Sequence, residues 1–295
     1  LFLLASLLFI LFIYGQHYLA GHYALLLVVS EVTVNLIFSL IAISYQENKN
    51  YAKFEANVNQ ATSYLAKTDS SLYRTEKSFS RSDDDPFTGN YYGITTFNSI
   101  SNSSTSNLLS RLGYVHNSNS YTNQGGTLLT DAFLGVKYYL EPNYSYDGVS
   151  AAQRMPYDNL NHRADLSSYY PIKQFKQISI LKNKQALPLI FASQSGQKKV
   201  KFLDNDPVHN QQKLWESLGL SGQLFKKVKS ELKLTNLKVN QSDPLVFKKA
   251  NSAKPASVTF SLTPKSNDSY YLQLPDGFDF KTASLSVNAI FYNCE

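Results

Sequence analysis

The most closely spaced ionisable residues of the chain are the carboxylates of Asp83, Asp84 and Asp85, which precede Pro86. Adjacent carboxylates supply hard oxygen ligands, so this triplet could gather a divalent cation or orient a sugar hydroxyl. Consecutive residues rarely direct their side chains at one ion, and Asp-Asp-Pro is typical of a solvated turn. We therefore favour the turn and predict no metal-binding residue in this chain.

A second candidate is the loop 98–107, with the sequence NSISNSSTSN, which follows Tyr91, Tyr92 and Phe97. Amide and hydroxyl groups beside aromatic faces suit the binding of a sugar. The same composition is also typical of a plain flexible loop, and we favour that interpretation.

The familiar catalytic patterns HExxH, GxSxG, GxGxxG and the P-loop do not occur in the sequence, and the five histidines have no spacing typical of metal ligands. The single cysteine, Cys294, excludes an internal disulfide, a multi-cysteine zinc site and a CxxC redox pair. These absences lower the expectation of a soluble enzyme contained within the chain. No catalytic residue is predicted.

Charge is distributed unevenly along the 295 residues, which carry 28 Lys and Arg, 22 Asp and Glu and a net charge of +6. Residues 1–44 contain one charged side chain, Glu31, whereas lysines cluster at 198–201, 226–229 and 248–249. Such clusters could meet an anionic polymer or lipid headgroups, although a solvated surface is the plainer explanation. Nucleic acid is a poor alternative, because the sequence contains no recognisable binding module.

Residues 23–43 are 21 residues with one charge, long enough as a helix to cross a hydrocarbon core of roughly 30 Å. Residues 1–14 are apolar but too short to span, and the chain begins at Leu1 within that run, so we expect a piece of a longer protein and a helical hairpin over 1–44. Glu31 and Asn35 lie four residues apart, which predicts an intramembrane polar pair facing protein. A proton or substrate pathway is one interpretation of this pair, and packing against other helices is the favoured one.

The remaining sequence predicts an α+β fold. Phe54, Val58, Ala61 and Leu65 have the spacing of an amphipathic helix, and 104–112 and 210–218 are typical of short helices. Apolar strands are predicted at 136–140, 177–181 and 189–192, and alternating strands at 257–262 and 284–292. We therefore expect two transmembrane helices over 1–44, a mixed α+β domain over 45–240 and, over 241–295, an antiparallel β region that begins a β-sandwich.

Several segments in order along the chain resemble the YfhO family of bacterial membrane proteins. They are Tyr73-Arg74, 90–99 (NYYGITTFNS), 107–113 (NLLSRLG), 129–140 (LTDAFLGVKYYL), 182–189 (KNKQALPL) and Asp206-Pro207. The resemblance covers roughly residues 25–220, and the ordered series is more specific than any single segment.

The resemblance implies a multi-pass membrane protein that looks like a GT-C glycosyltransferase. Such an enzyme takes a sugar from a polyprenyl-phosphate carrier and transfers it to a cell-envelope polymer such as lipoteichoic acid in a Gram-positive bacterium. The resemblance also implies that residues 45–295 are extracytoplasmic and guide the acceptor. Lys49 and Lys53 by themselves weakly favour the cytoplasmic side by the positive-inside rule, and the resemblance overrides them. The catalytic acid and any divalent metal would belong to an earlier part of a longer protein, so the chain alone is expected to be inactive and to hold no cofactor.

Five residues at family-like positions are predicted to contact the acceptor: Arg74, Asn90, Tyr92, Ser99 and Asn183. Buried polar groups that tie strands to loops are an equally good explanation of these residues. The competing functional class is a membrane-tethered, non-enzymatic envelope protein that binds an anionic glycopolymer. A transporter accessory, suggested by Glu31 alone, is a weaker third alternative.

Overall fold

The computed structural model describes residues 18–43, 48–143, 155–157, 159–161, 163–192, 200–240, 246–264 and 266–273. The chain divides into two compact units, Leu1–Ala52 and Lys53–Glu295.

The first unit contains helix α1 (Tyr18–Ala42), and apolar side chains such as Val32 and Ile41 are exposed on it. Glu31 is half-buried and Asn35 is exposed on the same helix. Among the residues that the structure describes, no helix combines the length and the apolarity that crossing a membrane requires.

The prediction of two transmembrane helices over 1–44 is therefore wrong for the described residues, and its first helix at 1–14 lies outside them. The prediction rested on the low charge of residues 23–43. Glu31, Thr33 and Asn35 place polar groups near the middle of that run, and each of them lowers its apolarity.

Helix α2 (Asn48–Thr68) confirms the amphipathic stripe. Phe54, Val58, Ala61 and Leu65 recur every three or four residues and are all buried. Burial of this stripe removes apolar surface from water, and this provides the main reason for the helix to form.

A four-stranded sheet forms the centre of the second unit, and its strands are β1 (Arg74–Lys77), β5 (Val136–Pro142), β7 (Tyr170–Gln174) and β8 (Ile178–Lys182). Their order across the sheet is β1-β5-β8-β7, with β1 parallel to β5 and the other pairs antiparallel. The predicted α+β class and the predicted strands at 136–140 and 177–181 are confirmed. Residues 189–192 form no strand, because Pro188 interrupts the backbone and Phe191 packs edge-on against Phe133 instead.

Side chains alternate between the two faces of this sheet along each strand, and other elements cover both faces. Tyr138, Leu140 and Ile180 pack with the buried stripe of α2. Tyr139 and Leu181 belong to a second cluster, which is shared with helices α4 (Ser103–Arg111), α5 (Leu128–Phe133) and α6 (Pro207–Ser217). The sheet is thus the middle layer of three.

The helices of the outer layer begin with side-chain caps. Asn102 accepts a hydrogen bond from Ser104 N at α4, Asp206 accepts one from His209 N at α6, and Thr127 forms a capping box at α5. One close approach requires glycine: a Cβ at Gly125, which has φ 85°, would lie 2.0 Å from the carbonyl oxygen of Gly113.

Short elements connect the layers. They are β2 (Phe79–Ser80) paired with β6 (Asn159–Leu160), helix α3 (Asp85–Thr88), β3 (Thr96–Phe97) paired with β4 (Ser120–Tyr121), and a 3-10 helix (Ala164–Ser168).

Four further strands follow: β9 (Glu231–Thr235), β10 (Leu237–Asn240), β11 (Val246–Lys249) and β12 (Ser257–Ser261). Strand β9 pairs with β12 and β10 with β11, both antiparallel, so 231–240 forms one side of a two-stranded ribbon. Asn236 joins β9 to β10 with φ 52°, and its side-chain amide donates to the carbonyl oxygens of Asn251, Lys254 and Pro255. The predicted strand at 257–262 is confirmed, and the one at 284–292 lies outside the described residues.

Candidate functional site

The acidic triplet at 83–85 lies in the turn that leads into α3, but its three side chains are not all solvated. Asp85 is buried and pairs with Lys77 Nζ at 2.9 Å, with side-chain exposures of 1% and 5%. Its carboxylate also accepts hydrogen bonds from the backbone N–H groups of Arg81 and Ser82, both at 3.0 Å. The preference for a solvated turn overlooked Lys77, a charge that folding brings beside Asp85.

The neighbouring carboxylate of Asp84 holds strand β3. Its Oδ1 accepts from Phe97 N at 2.9 Å and from Thr96 Oγ1 at 3.4 Å. Burial raises the pKa of Asp83, and the charges of Asp84 and Asp85 act in the same direction. Within the described residues, no group of three or more His, Cys, Asp or Glu residues could hold a metal ion.

A further carboxylate, Glu76 on β1, binds the segment just before β3. Glu76 is 2% exposed, and its carboxylate accepts from the N–H groups of Ile94 and Thr95 and from the Thr95 hydroxyl. Burial raises its pKa to about 6, although the Ile94 N–H and the charge of Lys77 favour the ionised form. Glu76 and Asp85 fasten residues 81–97 to β1 at the edge of the central sheet, and Asp84 ties α3 to β3 within that segment.

Residues 87–100 carry three exposed aromatic side chains and one exposed isoleucine, which we together call the aromatic surface. They are Phe87, Tyr92, Phe97 and Ile100, which are 74%, 71%, 48% and 90% exposed. The backbones that carry them are joined. Tyr91 N donates to Pro86 O at 3.1 Å, and a Cβ built on Gly93 would lie 2.7 Å from Pro86 Cγ. Asp84, at the start of α3, binds Phe97.

Three of the five predicted contact residues lie in or beside this surface. Tyr92 is part of it, Asn90 is exposed after α3 with φ 49°, and Ser99 is exposed two residues beyond Phe97. An asparagine is among the residues that best tolerate a left-handed backbone, so local conformation gives Asn90 a structural role as well. Binding by these three residues stays a prediction.

The other two predicted residues support the central sheet. The guanidinium of Arg74 donates to Leu134 O, and its backbone N–H donates to Gly135 O. Asn183 is 3% exposed, donates to Val136 O at 3.1 Å and accepts from Gln185 N at 2.9 Å. The structure thus exposes Asn90, Tyr92 and Ser99 along residues 90–99, and it gives Arg74 and Asn183 contacts elsewhere.

A second group of buried charges, which was not predicted, lies on the face of the sheet that carries Tyr139. Arg163 bridges two carboxylates, with Nη1 2.8 Å from Asp131 and Nη2 2.7 Å from Asp165. The Tyr169 hydroxyl donates to Asp131 at 2.7 Å, and the Tyr271 hydroxyl donates to Asp165 at 2.9 Å. Burial raises the pKa of Asp131, while the charge of Arg163 opposes the shift.

This second group is structural, because its carboxylates bind protein donors. It holds α5, the 3-10 helix and segment 266–273 together. Asp131 does belong to the segment 129–140 that carries the family resemblance, and an acid among Leu129, Ala132 and Phe133 is the signal that could have identified it. Glu76 and Lys77 offered no such signal, because the sequence RTEK is ordinary for an exposed strand.

The fold and site define a class: a three-layer α+β domain that presents a rigidly held aromatic surface. The model of the bacterial membrane protein YfhO family matches residues 1–293, and the chain therefore belongs to that family. No curated protein and no solved structure shows significant similarity to it. Membership confirms the resemblance, makes the chain a bacterial membrane protein and supports a glycosyltransferase-like function in the cell envelope.

Proposed function

We propose that the chain is part of a membrane glycosyltransferase that transfers a sugar from a polyprenyl-phosphate carrier to a cell-envelope polymer such as lipoteichoic acid. Residues 45–295 are its extracytoplasmic domain, which guides the acceptor, within a multi-pass protein of a Gram-positive cell. Membership of the YfhO family supports the enzyme class. The aromatic surface is the observation that carries the guiding role.

The chemistry of this surface suits a glycan. Aromatic rings offer large, rigid apolar faces, against which the C–H face of a sugar ring can lie, while Tyr92 adds a hydroxyl. Asn90 and Ser99 supply an amide and a hydroxyl in the same segment for sugar hydroxyls. Because Glu76, Asp84 and Asp85 fix the backbone beneath, little conformational entropy is lost when a polymer binds.

The transfer chemistry belongs to groups that this domain does not supply. We assign no catalytic residue in this chain, and a divalent metal ion is a candidate cofactor of the longer protein. In this scheme Asn90, Tyr92, Phe97 and Ser99 position the acceptor polymer, and they move no proton during transfer.

The test of the guiding role uses the protein in membranes with radiolabelled polyprenyl-phosphate sugars and a series of acceptor concentrations. The double variant Tyr92→Ala/Phe97→Ala is expected to raise the KM for acceptor about tenfold, because two exposed stacking surfaces are lost. Tyr170→Ala is the matched control, since Tyr170 is 56% exposed on the edge strand β7. Equal KM values for all three proteins would contradict the guiding role.

The proposed location has a separate test. In a Cys294→Ser background, Ile190→Cys introduces one thiol at a side chain that is 88% exposed. A membrane-impermeant maleimide is expected to label this thiol in intact cells. Labelling only after the cells are permeabilised would place the domain inside.

The alternative is a membrane-tethered, non-enzymatic protein that binds an anionic glycopolymer. Exposed lysines, including Lys226, Lys227 and Lys229, favour it. Polymer binding that is weakened by salt, together with no sugar transfer from any donor tested, would favour this alternative over the enzyme.

A further inference from the structure

The ribbon formed by β9 and β12 has two chemically different faces. Leu232 lies opposite Phe260 and Leu234 lies opposite Val258, so these four side chains share one face. The alternate positions of both strands carry only polar residues: Glu231, Lys233, Thr235, Ser257, Thr259 and Ser261. We call the first of these the apolar ribbon face.

The apolar ribbon face is exposed to solvent at the end that carries Leu232 and Phe260. Leu232 is 41% exposed and Phe260 is 46% exposed, and the nearby Val228 and Leu262 are exposed as well. A two-stranded ribbon is marginally stable in water by itself, and exposed apolar groups on it indicate a surface that is covered by a partner.

Lysines border the face at both ends. Lys226, Lys227 and Lys229 precede β9, and at the other end Lys238 lies directly opposite Lys248 with Lys249 beside it. Within the described residues 224–240 and 246–261, Glu231 is the one acidic side chain. Like charges directly opposite each other on a ribbon are unfavourable unless anions lie nearby.

The base of the ribbon is fixed to the three-layer domain. Leu224 N donates to Gln212 Oε1 at 2.8 Å, and the rings of Phe225 and Tyr271 pack edge to face at 5.6 Å. Tyr271 in turn binds Asp165 of the buried charge group. These contacts anchor the chain to the domain just before the lysines that precede β9.

We propose that the apolar ribbon face docks on an anionic lipid surface, with Leu232 and Phe260 in the headgroup region and the bordering lysines on lipid phosphates. Apolar side chains flanked by lysines are the pattern of interfacial membrane binding, because lysine stems extend along apolar surface while their charges reach the phosphates. The chain belongs to a family of membrane proteins, so a lipid bilayer is available as the partner of the apolar ribbon face.

The combination of apolar and basic side chains favours an anionic bilayer over a dissolved polyanion or a second copy of the ribbon. A dissolved polyanion would engage the lysines but leave Leu232 and Phe260 in water. A second copy of the ribbon would bring two sets of lysines together, and their repulsion opposes that contact. An anionic bilayer satisfies the apolar and the basic parts of the surface at once.

The test uses the whole chain, made free of cysteine by Cys294→Ser and given one nitroxide label at Leu232→Cys. The protein is reconstituted with vesicles of phosphatidylcholine containing phosphatidylglycerol, or of phosphatidylcholine alone. Oxygen concentrates in bilayers, so frequent collisions of the label with oxygen indicate lipid around it. Frequent collisions with a water-soluble nickel complex indicate water around it. Ile190→Cys, at a side chain 88% exposed elsewhere on the domain, is the matched control.

With phosphatidylglycerol present, oxygen collisions at position 232 are expected to exceed nickel collisions severalfold, and the ratio is expected to reverse in phosphatidylcholine alone. The control position is expected to favour nickel in both. Lys226→Gln/Lys227→Gln/Lys229→Gln is expected to lose most of the lipid contact, as is high salt, because surface charges are then removed or screened.

Three results would overturn the proposal. One is a label at position 232 that favours nickel in both lipid compositions. Another is spin–spin broadening that grows with protein concentration, which would identify a second copy as the partner. The last is a label at position 232 that soluble polyphosphate shields from nickel, while its oxygen collisions rise in neither kind of vesicle. That result would identify a dissolved polyanion as the partner.

Discussion

Lys77 and Asp85 form a buried ion pair of 2.9 Å, and they join the strand β1 to the helix that begins the aromatic surface. The ammonium group also lies 5.5 Å from the centre of the Phe79 ring and 5.9 Å from that of Tyr91. A charge enclosed in this way depends on its partner, because water cannot replace the lost interaction.

We expect Asp85→Asn to reduce the free energy of unfolding by about 3–5 kcal/mol, because it leaves the Lys77 charge buried without a counter-charge. Denaturant unfolding of the whole chain, followed by the fluorescence of its single tryptophan, Trp215, would measure the loss. The control is Glu216→Gln, which breaks an exposed pair with Lys213 and should leave the unfolding midpoint nearly unchanged. Similar losses for the two variants would show that Lys77 does not need Asp85.

The elevated pKa of Glu76 predicts a pH-dependent stability. Burial raises this pKa from 4.5 to about 6, so the folded state binds more protons than the unfolded state between these values. Its contribution to stability is therefore fully present below pH 4.5 and decreases as the pH rises through 6. Relative to Glu76→Gln, wild type should lose up to about 2 kcal/mol across that window.

The Glu76 prediction is checked by unfolding wild type and the Glu76→Gln variant at a series of pH values on both sides of this window. The side-chain amide introduced by the substitution can still accept from the N–H groups of Ile94 and Thr95 but cannot ionise, so the comparison isolates the titration. A difference in stability that stays constant across the range would mean that the carboxyl titrates at its ordinary pKa.

Arg163→Gln is expected to destabilise the protein by about 3–5 kcal/mol at neutral pH, because it leaves the carboxylates of Asp131 and Asp165 without their shared cation. The loss should shrink in acid, because burial raises the pKa of Asp131 and its protonated carboxyl group needs no counter-charge. Unfolding in mild acid and at neutral pH would measure this. An equal loss under both conditions would instead assign the effect to packing of the arginine side chain on Tyr139.

Asn90 allows conformation and binding to be separated. Because its φ is 49°, Asn90→Gly should leave stability unchanged or raise it slightly, whereas Asn90→Ala should cost about 1 kcal/mol. If the amide contacts the acceptor, both variants should raise the KM for acceptor by a similar factor. An unchanged KM in both would leave Asn90 with its backbone role alone.

Local sequence patterns predicted the parts of this fold that depend on nearby residues. The spacing of Phe54, Val58, Ala61 and Leu65 determines the buried side of α2, since apolar side chains three or four residues apart share one face. The alternation at 257–262 likewise indicated β12. The ordered segments that resemble the YfhO family were also sufficient to identify it.

Tertiary structure decided the roles of the polar residues. Folding places Lys77 beside the carboxylate of Asp85, and it gives the side chain of Asn183 a hydrogen bond to Val136 O of β5. Contact of Asn183 with the acceptor stays a prediction. Residue type indicates which bonds a side chain can form, but burial and distant partners determine which bonds it does form. Sequence by itself therefore determined the family, the α+β class and the helical stripe, whereas the aromatic surface, its buried carboxylate supports and the apolar ribbon face required contacts between residues far apart in the chain.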